Sequence, residues 1–142
     1  MAFGFKNANR FKRRLRAIAP SVRRAVRAEL NANGDDLTEA QKRAAPYGDG
    51  DLQGSIQKED VSTDRRIAVQ VRAGGEATTR PVRKSEKGNA PSYDYALGQE
   101  LGTEKMPANP FFYPPYRARR KKYKRGLANV AKKAARAAAK TT

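Results

Sequence analysis

The chain has 142 residues with a formal net charge of +17, and 38% of its residues are hydrophobic. It contains no cysteine and no histidine, which excludes disulfides, thiolate chemistry, and zinc or haem sites built on those ligands. A chain of this length suits one domain. Because large apolar residues are few, we expect a small core that oligomerisation supplements. The excess positive charge attracts polyanions, with nucleic acid ahead of an anionic membrane surface.

Residues 1–19 are predicted to form a basic N-terminal arm. Phe11, Leu15 and Ile18 recur at helical spacing, which predicts one or two amphipathic turns. The first nine residues are interpreted either as a frayed terminus or as a strap that a partner orders. No apolar run approaches the roughly 20 residues of a membrane-spanning helix, and no secretory signal is visible, so no membrane association is expected.

A long helix is predicted from Pro20 to Ala44. Pro20 suits a first helical turn, and the Ala45-Pro46 pair ends the helix. Asn33-Gly34 lowers the helix propensity without shifting the phase of the apolar stripe, which favours one helix with a soft point over two helices. The stripe consists of Val22, Val26, Leu30, Leu37, Ala40 and Ala44.

A β-hairpin is predicted after a turn at residues 47–54. This turn is rich in glycine and aspartate, but it lacks the ordered acidic positions of a calcium-binding loop, so no metal site is expected. Two strands are predicted at residues 55–62 and 66–72, since the second alternates apolar and polar positions. Residues 73–92 lack periodicity and predict a long loop.

Residues 93–116 concentrate the aromatic residues and prolines of the chain. A short helix is predicted here, and Gly102 suits the position just past its end. Prolines keep residues 105–110 extended. The Phe111-Phe112-Tyr113 cluster that follows is predicted to plug a core. A basic helix then runs from Pro115 to about Lys140.

Two motifs in this sequence resemble a family of tailed-phage proteins. The first runs Ala45-Pro46, Gly50-Asp51-Leu52 and Ser55-Ile56. The second contains Tyr95-Ala96 and continues through residues 100–103 (ELGT) and 106–111 (MPANPF). In this order they resemble the neck or tail-completion proteins related to the lambda minor tail protein Z. Leu101 stands where the family has an aromatic residue, Asn109 where it has arginine, and Asp49 where it has threonine.

The resemblance covers about residues 20 to 135 and implies the following organisation. We expect an α+β fold in one domain, with a long N-terminal helix, a small antiparallel sheet with a long loop, a short helix and a basic C-terminal helix. A basic C-terminal tail at residues 136–142 follows the tail-completion-like domain of residues 20–135.

The resemblance further implies a structural virion protein of a tailed phage or prophage. Such a protein is assembled in the host cytoplasm and forms a homo-oligomeric ring, six-fold in our prediction, in the neck or at the head-proximal end of the tail. The ring completes the tail and joins it to the head, and DNA passes through it. Its expected partners are its own copies, other neck, connector and tail proteins, and genomic DNA contacted without sequence preference.

The motif residues are predicted to shape the fold and the edge between subunits. Glu100 is the best candidate for a salt bridge across that edge, with a local pairing as the equal alternative. The predicted motif and interface residues are Gly50, Leu52, Ser55, Tyr95, Glu100, Gly102, Thr103, Pro107, Pro110 and Phe111. The cations predicted to face DNA are Arg117, Arg119, Arg120, Lys121, Lys122, Lys124, Arg125, Lys132 and Lys133.

Two other classes of function are alternatives to the ring. An enzyme is not expected, because no catalytic triad, phosphate-binding glycine loop or metal constellation is visible, and no cofactor is predicted. A stand-alone basic nucleic-acid-binding protein of ribosomal or chromatin type is the alternative. It is supported by the sequence pI near 10.6 and by tyrosines set among arginines.

Overall fold

The computed structural model describes the backbone of residues 8–141 and the side chains of residues 19–141. Four helices, α1 (Ala8–Ala44), α2 (Asp51–Ser55), α3 (Tyr95–Leu101) and α4 (Tyr113–Lys140), surround two antiparallel strand pairs. The strands are β1 (Gln57–Asp60), β2 (Val69–Arg72), β3 (Thr79–Pro81) and β4 (Ser92–Asp94). The predicted α+β fold class is therefore confirmed, with its long first helix and its basic last helix.

Helix α1 begins at Ala8, so the predicted start at Pro20 is wrong. Pro20 lies inside the helix, where a proline costs roughly 3 kcal/mol. The apolar spacing of the sequence continues in phase from Phe11 through Ile18 to Val22, and a helix that keeps this stripe on one side offsets the cost. The predicted end at Ala44 is confirmed. Of the predicted arm, residues 1–7 lie outside the described part of the chain.

Helices α1 and α4 pack as an antiparallel pair. The Tyr123 hydroxyl donates a hydrogen bond of 2.6 Å to Asp36, and Gly126 lies so close to α1 that a Cβ there would be 2.9 Å from Glu29 Oε1. Burial, followed by the bond to Asp36, raises the pKa of Tyr123 above its ordinary value. The same bond is the main reason why the pKa of Asp36 is lowered. Tyr123 therefore stays a neutral donor that ties the two helices together.

The β1–β2 hairpin lies across the middle of α1, at Gly34. A Cβ at Gly34 would be 3.0 Å from Val69 Cγ1 and 2.7 Å from Lys58 Cδ, so a glycine in mid-helix permits the close approach of the hairpin. Asp60 anchors one end of the hairpin, because Arg27 Nε and Asn31 Nδ2 donate to its carboxylate at 2.7 and 2.9 Å. These bonds, with that from Arg27 the largest contribution, lower the pKa of Asp60.

The predicted hairpin is confirmed, but its neighbours differ from prediction in two places. Both strands are shorter than expected, and the glycine-rich turn gives way at Asp51 to α2, which includes Ser55. The predicted long loop at residues 73–92 contains a 3₁₀ turn (Glu76–Thr78) and β3, and it ends at the start of β4. Strands of three residues are too short to show a period of two in the sequence.

Candidate functional site

A strap, residues 107–113, runs from the segment after α3 into the first residue of α4 and contributes an aromatic ring to the core. Phe111 in this strap is 1% exposed and packs in a cluster of buried residues with Leu52, Ile56 and Ala96. The Phe112 ring meets Phe111 edge to face at a centroid distance of 6.3 Å. The prediction that the aromatic cluster plugs a core is confirmed for Phe111, whereas Tyr113 is half exposed.

Glu100 of α3 holds the strap through its backbone. Glu100 Oε2 accepts hydrogen bonds from the N–H groups of Phe111 and Phe112 at 2.7 and 2.8 Å, and Oε1 accepts from Tyr113 at 3.1 Å. These donors lie at the N-terminus of α4, where backbone N–H groups have no partner within the helix and where negative charge is favoured. Glu100 thus acts as a cap for α4 that another helix of the same chain supplies.

The peptide group of Phe112 is held from a second side by α1. Gln41 is 1% exposed, and its Nε2 donates to the Phe112 carbonyl oxygen at 2.9 Å. Sequence reasoning did not single out Gln41, because a glutamine within an apolar stripe carries no signal of a distant partner. The strap is therefore fixed between α1 and α3.

Gly102 closes α3, as predicted. Its N–H donates to the Gly98 carbonyl at 2.7 Å, and its φ of +79° lies in the region that favours glycine. The chain then folds back over the helix end. Asn109 N–H donates to the Gln99 carbonyl at 2.8 Å, and a Cβ at Gly102 would be only 2.8 Å from the backbone nitrogen of Ala108.

The first motif contributes residues to the same core. Gly50, with φ +89°, precedes α2, and Leu52 of that helix is 5% exposed in the cluster around Phe111. Ser55 Oγ donates to the Leu52 carbonyl at 2.7 Å and accepts from Gly74 N–H at 3.0 Å. The two motifs, which are far apart in the sequence, thus build one structural unit.

Asp94 is a further anchor of this unit, and it was not among the predicted site residues. Its carboxylate accepts from Gly75 N–H at 2.9 Å, Thr78 Oγ1 at 2.7 Å and Ala96 N–H at 2.9 Å. Burial raises the pKa of Asp94, but the three hydrogen bonds lower it by more, so the group is held below its ordinary pKa. An aspartate directly before an apolar helical segment is the sequence signal of a helix cap that identifies it.

Tyr95, the first residue of α3, is connected to the start of α2 through Arg80. The Arg80 guanidinium lies 5.6 Å from the centre of the Tyr95 ring and pairs with Asp51 at 2.7 Å. Burial, followed by the negative charges of Asp49 and Asp51, raises the pKa of Tyr95. Tyr95 is therefore a neutral packing residue of the motif unit.

The remaining motif residues lie at the surface. Thr103, Pro107 and Pro110 are exposed, and a turn with backbone hydrogen bonds of 2.8 and 3.3 Å joins Thr103 to Met106. On α3, Leu97 and Leu101 are 62% and 67% exposed. The helix that anchors the strap from its inner side thus presents leucines on its outer side.

The predicted DNA-facing cations divide into two groups. Arg119 is half-buried, with its Nε 3.3 Å from Asp36 Oδ2, so it contributes to helix packing. Arg117 lies over the Tyr113 ring at 5.8 Å while remaining exposed. The other exposed cations of this set are Arg120, Lys121, Lys122, Lys124, Arg125, Lys132 and Lys133.

Charge is strongly segregated along the chain. Residues 1–28 hold nine basic residues and residues 105–142 hold twelve, and neither segment contains an acidic residue. Residues 29–104 hold all fourteen acidic residues and ten basic ones, a net of −4. Because α1 and α4 pair antiparallel, the basic first half of α1 and the basic last turns of α4 lie toward the same end of the helix pair. Nine of the acidic residues instead belong to the strands, α2, α3 and the second half of α1, and the other five lie in the turns and loops between these elements.

The carboxylates of this region position the backbone. Glu100 and Asp94 each accept three hydrogen bonds from the chain. These bonds hold the neighbouring backbone segments in place. Over the described residues, no group of three or more acidic, cysteine or histidine side chains is placed to hold a metal ion. Within the same part of the chain, no helix is long and apolar enough to span a membrane.

Comparison of the chain with protein-family models, with curated proteins and with solved structures found no match.

Proposed function

We propose that the chain is a structural virion protein of a tailed phage or prophage, forming a ring in the neck or at the head-proximal end of the tail. The ring completes the tail and joins it to the head, and DNA passes through its channel. Copies of the chain, other neck and tail proteins, and the phosphates of the genome are its partners. Catalysis has no part in this function.

The observation that carries the proposal is the meeting of the two resembling motifs in one unit. Leu52 of the first motif and Phe111 of the second share a core, while Glu100 and Gly102 shape the strap that delivers Phe111. This interlocking supports a structural role for the two motifs. The exposed Leu97 and Leu101 add an apolar edge of the kind that marks a protein interface.

A stand-alone nucleic-acid-binding protein is the second candidate. It is favoured by α4, whose 28 residues include eleven cations and no acidic residue. Positive charge of this density binds phosphates without sequence preference. The two candidates differ in self-assembly, since the ring requires a defined oligomer and the binding protein acts as a monomer.

The molar mass of the nuclease-treated protein tests the proposal. Light scattering at moderate salt is expected to show one species of six subunits of 15.7 kDa, since a ring is a closed assembly of fixed number. Nuclease treatment matters, because a shared nucleic acid would gather basic monomers into larger particles. A monomer that binds duplex DNA with salt-sensitive affinity would instead establish the second candidate.

DNA contact is expected to depend on the last turns of α4. Replacing Lys132, Lys133, Arg136 and Lys140 with glutamine should weaken binding to a duplex of arbitrary sequence. If all four contact phosphates, the slope of log affinity against log salt should become shallower by about 3 to 4, since each neutralised phosphate contributes about 0.9 to the slope. Fluorescence anisotropy across a salt series measures this slope.

A matched variant controls for net charge. Changing Arg65, Arg66, Arg83 and Lys84 to glutamine removes the same charge from exposed loop positions outside the two basic segments. We expect this variant to change the slope by less than about 1. Equal losses in the two variants would show that overall charge, rather than the surface of α4, governs binding.

A further inference from the structure

A groove opens between α1, β2 and α4. Its volume is about 200 Å³, and an apolar cavity of about 150 Å³ holds a molecule the size of benzene, so the groove has room for a large apolar side chain. Arg120 and Lys124 stand at its edge. The apolar residues that line it are Leu30, Leu37, Val69, Val71 and Leu127.

The groove also contains an unused hydrogen-bond donor. Asn33 lines it, and the Asn33 Nδ2 atom is buried without an acceptor among the residues that the structure describes. A buried donor without a partner is destabilising, because it has lost its hydrogen bond to water. The groove therefore favours an occupant that brings an apolar group together with a carbonyl or carboxylate oxygen.

A second surface of the chain has these properties. Leu97 and Leu101 are four residues apart, so they project from the same side of α3, and both are more than half exposed. The exposed Glu104 follows beyond the end of the helix, in the turn that joins Thr103 to Met106. We refer to Leu97, Leu101 and Glu104 as the α3 ridge.

We propose that the α3 ridge of one copy docks into the groove between α1, β2 and α4 of the next copy. This inference rests on the proposed ring and names the two surfaces that build it. The leucines fill the apolar groove, and Glu104 meets Arg120 and Lys124. An oxygen of the ridge segment accepts the hydrogen bond that Asn33 offers.

Charge supports a second copy as the occupant. The ridge carries the exposed carboxylate of Glu104, whereas the groove is bordered by α4, which holds no acidic residue. Opposite net charges of this kind steer two surfaces together and fix their register. Ridge and groove share no residue, so the contact is head to tail, the type that closes into rings.

Two variants with substitutions at exposed positions test this contact. The ridge variant carries Leu97→Asp and Leu101→Asp, and the groove variant carries Arg120→Glu and Lys124→Glu; all four positions are exposed. Each variant alone is expected to run as a monomer in light scattering at concentrations where the wild-type chain is a ring. An equimolar mixture is expected to form a heterodimer, because the groove variant keeps its ridge and the ridge variant keeps its groove.

Matched controls separate the contact from general effects of charge. Lys121→Glu with Arg125→Glu makes the same charge change on the same helix outside the groove lining, and Val82→Asp places a charge on an exposed apolar residue elsewhere. Both controls are expected to keep the wild-type mass.

The possible outcomes distinguish this inference from the proposed function. Ridge and groove variants that still form the wild-type ring would overturn the docking while leaving the ring in place. A monomeric wild-type chain would overturn both. Variants that are monomeric alone but do not pair in the mixture would also overturn the docking, because each still carries one intact surface.

Discussion

Replacement of Glu100 by alanine is expected to lower the free energy of unfolding by about 3 kcal/mol. The change leaves the N–H groups of Phe111, Phe112 and Tyr113 without their acceptor, and hydrogen bonds to a charged group contribute about 1.5 to 3 kcal/mol. The loss is greatest where the donors are shielded, as beside the buried Phe111 ring. Glu100→Gln should have a smaller effect, because the amide keeps one acceptor oxygen.

Urea denaturation at one fixed protein concentration measures this effect, since assembly adds to apparent stability. The urea concentration at the midpoint should fall, while the dependence of the unfolding free energy on urea concentration stays constant. Glu86→Ala in the exposed loop before β4 is the matched control and should stay within about 0.5 kcal/mol of wild type. If Glu100→Ala were equally neutral, the strap would be held by the packing of Phe111 and by the hydrogen bond from Gln41 rather than by Glu100.

Replacement of Gly102 by alanine is expected to cost about 3 kcal/mol for a different reason. The residue adopts φ +79° and ψ 170°, a region that side chains enter at a cost of about 1 to 3 kcal/mol. The new Cβ would also lie 2.8 Å from Ala108 N and 3.2 Å from Met106 O. These are backbone atoms, so relief requires displacement of the returning chain.

The companion variant Gly54→Ala should instead raise the free energy of unfolding. Gly54 lies within α2 at ordinary φ, and a Cβ there would meet nothing within 4 Å. Alanine is favoured over glycine in helices by up to about 1 kcal/mol. Thermal unfolding of the two variants side by side gives the comparison, and a stable Gly102→Ala variant would mean that the segment over the end of α3 shifts easily.

Helix α3 links stability to the proposed assembly. Its inner side holds Ala96 in the core and Glu100 against the strap, while its outer side carries Leu97 and Leu101. A variant that loosens the strap is therefore expected to disturb the ridge as well. The assembly tests therefore use only exposed positions, where substitutions have little effect on folding stability.

The sequence by itself determined the parts of the fold that depend on local chemistry. The end of α1 before Pro46 follows from the restriction that proline places on its predecessor. The closure of α3 at Gly102 follows from the freedom of glycine, and the hairpin at residues 57–72 from alternation. The entry of the Phe111-Phe112-Tyr113 cluster into the core follows from the large apolar area of aromatic rings, but the sequence did not show that Phe111 is the ring that is fully buried.

Only the tertiary structure decided how these parts meet. The bond from Glu100 to the start of α4, the clamp of Gln41 on Phe112 and the pairing of Asp36 with Tyr123 join residues far apart in the sequence, and no local pattern encodes them. The extension of α1 to residues before Pro20 was not predicted, because proline favours a first helical turn, whereas this helix accommodates Pro20 in its interior. The short β3–β4 pair was missed because pairing energy, rather than propensity, makes strands of three residues. Long-range contacts are chosen by the whole fold, and a single sequence shows only the local preferences that those contacts confirm or override.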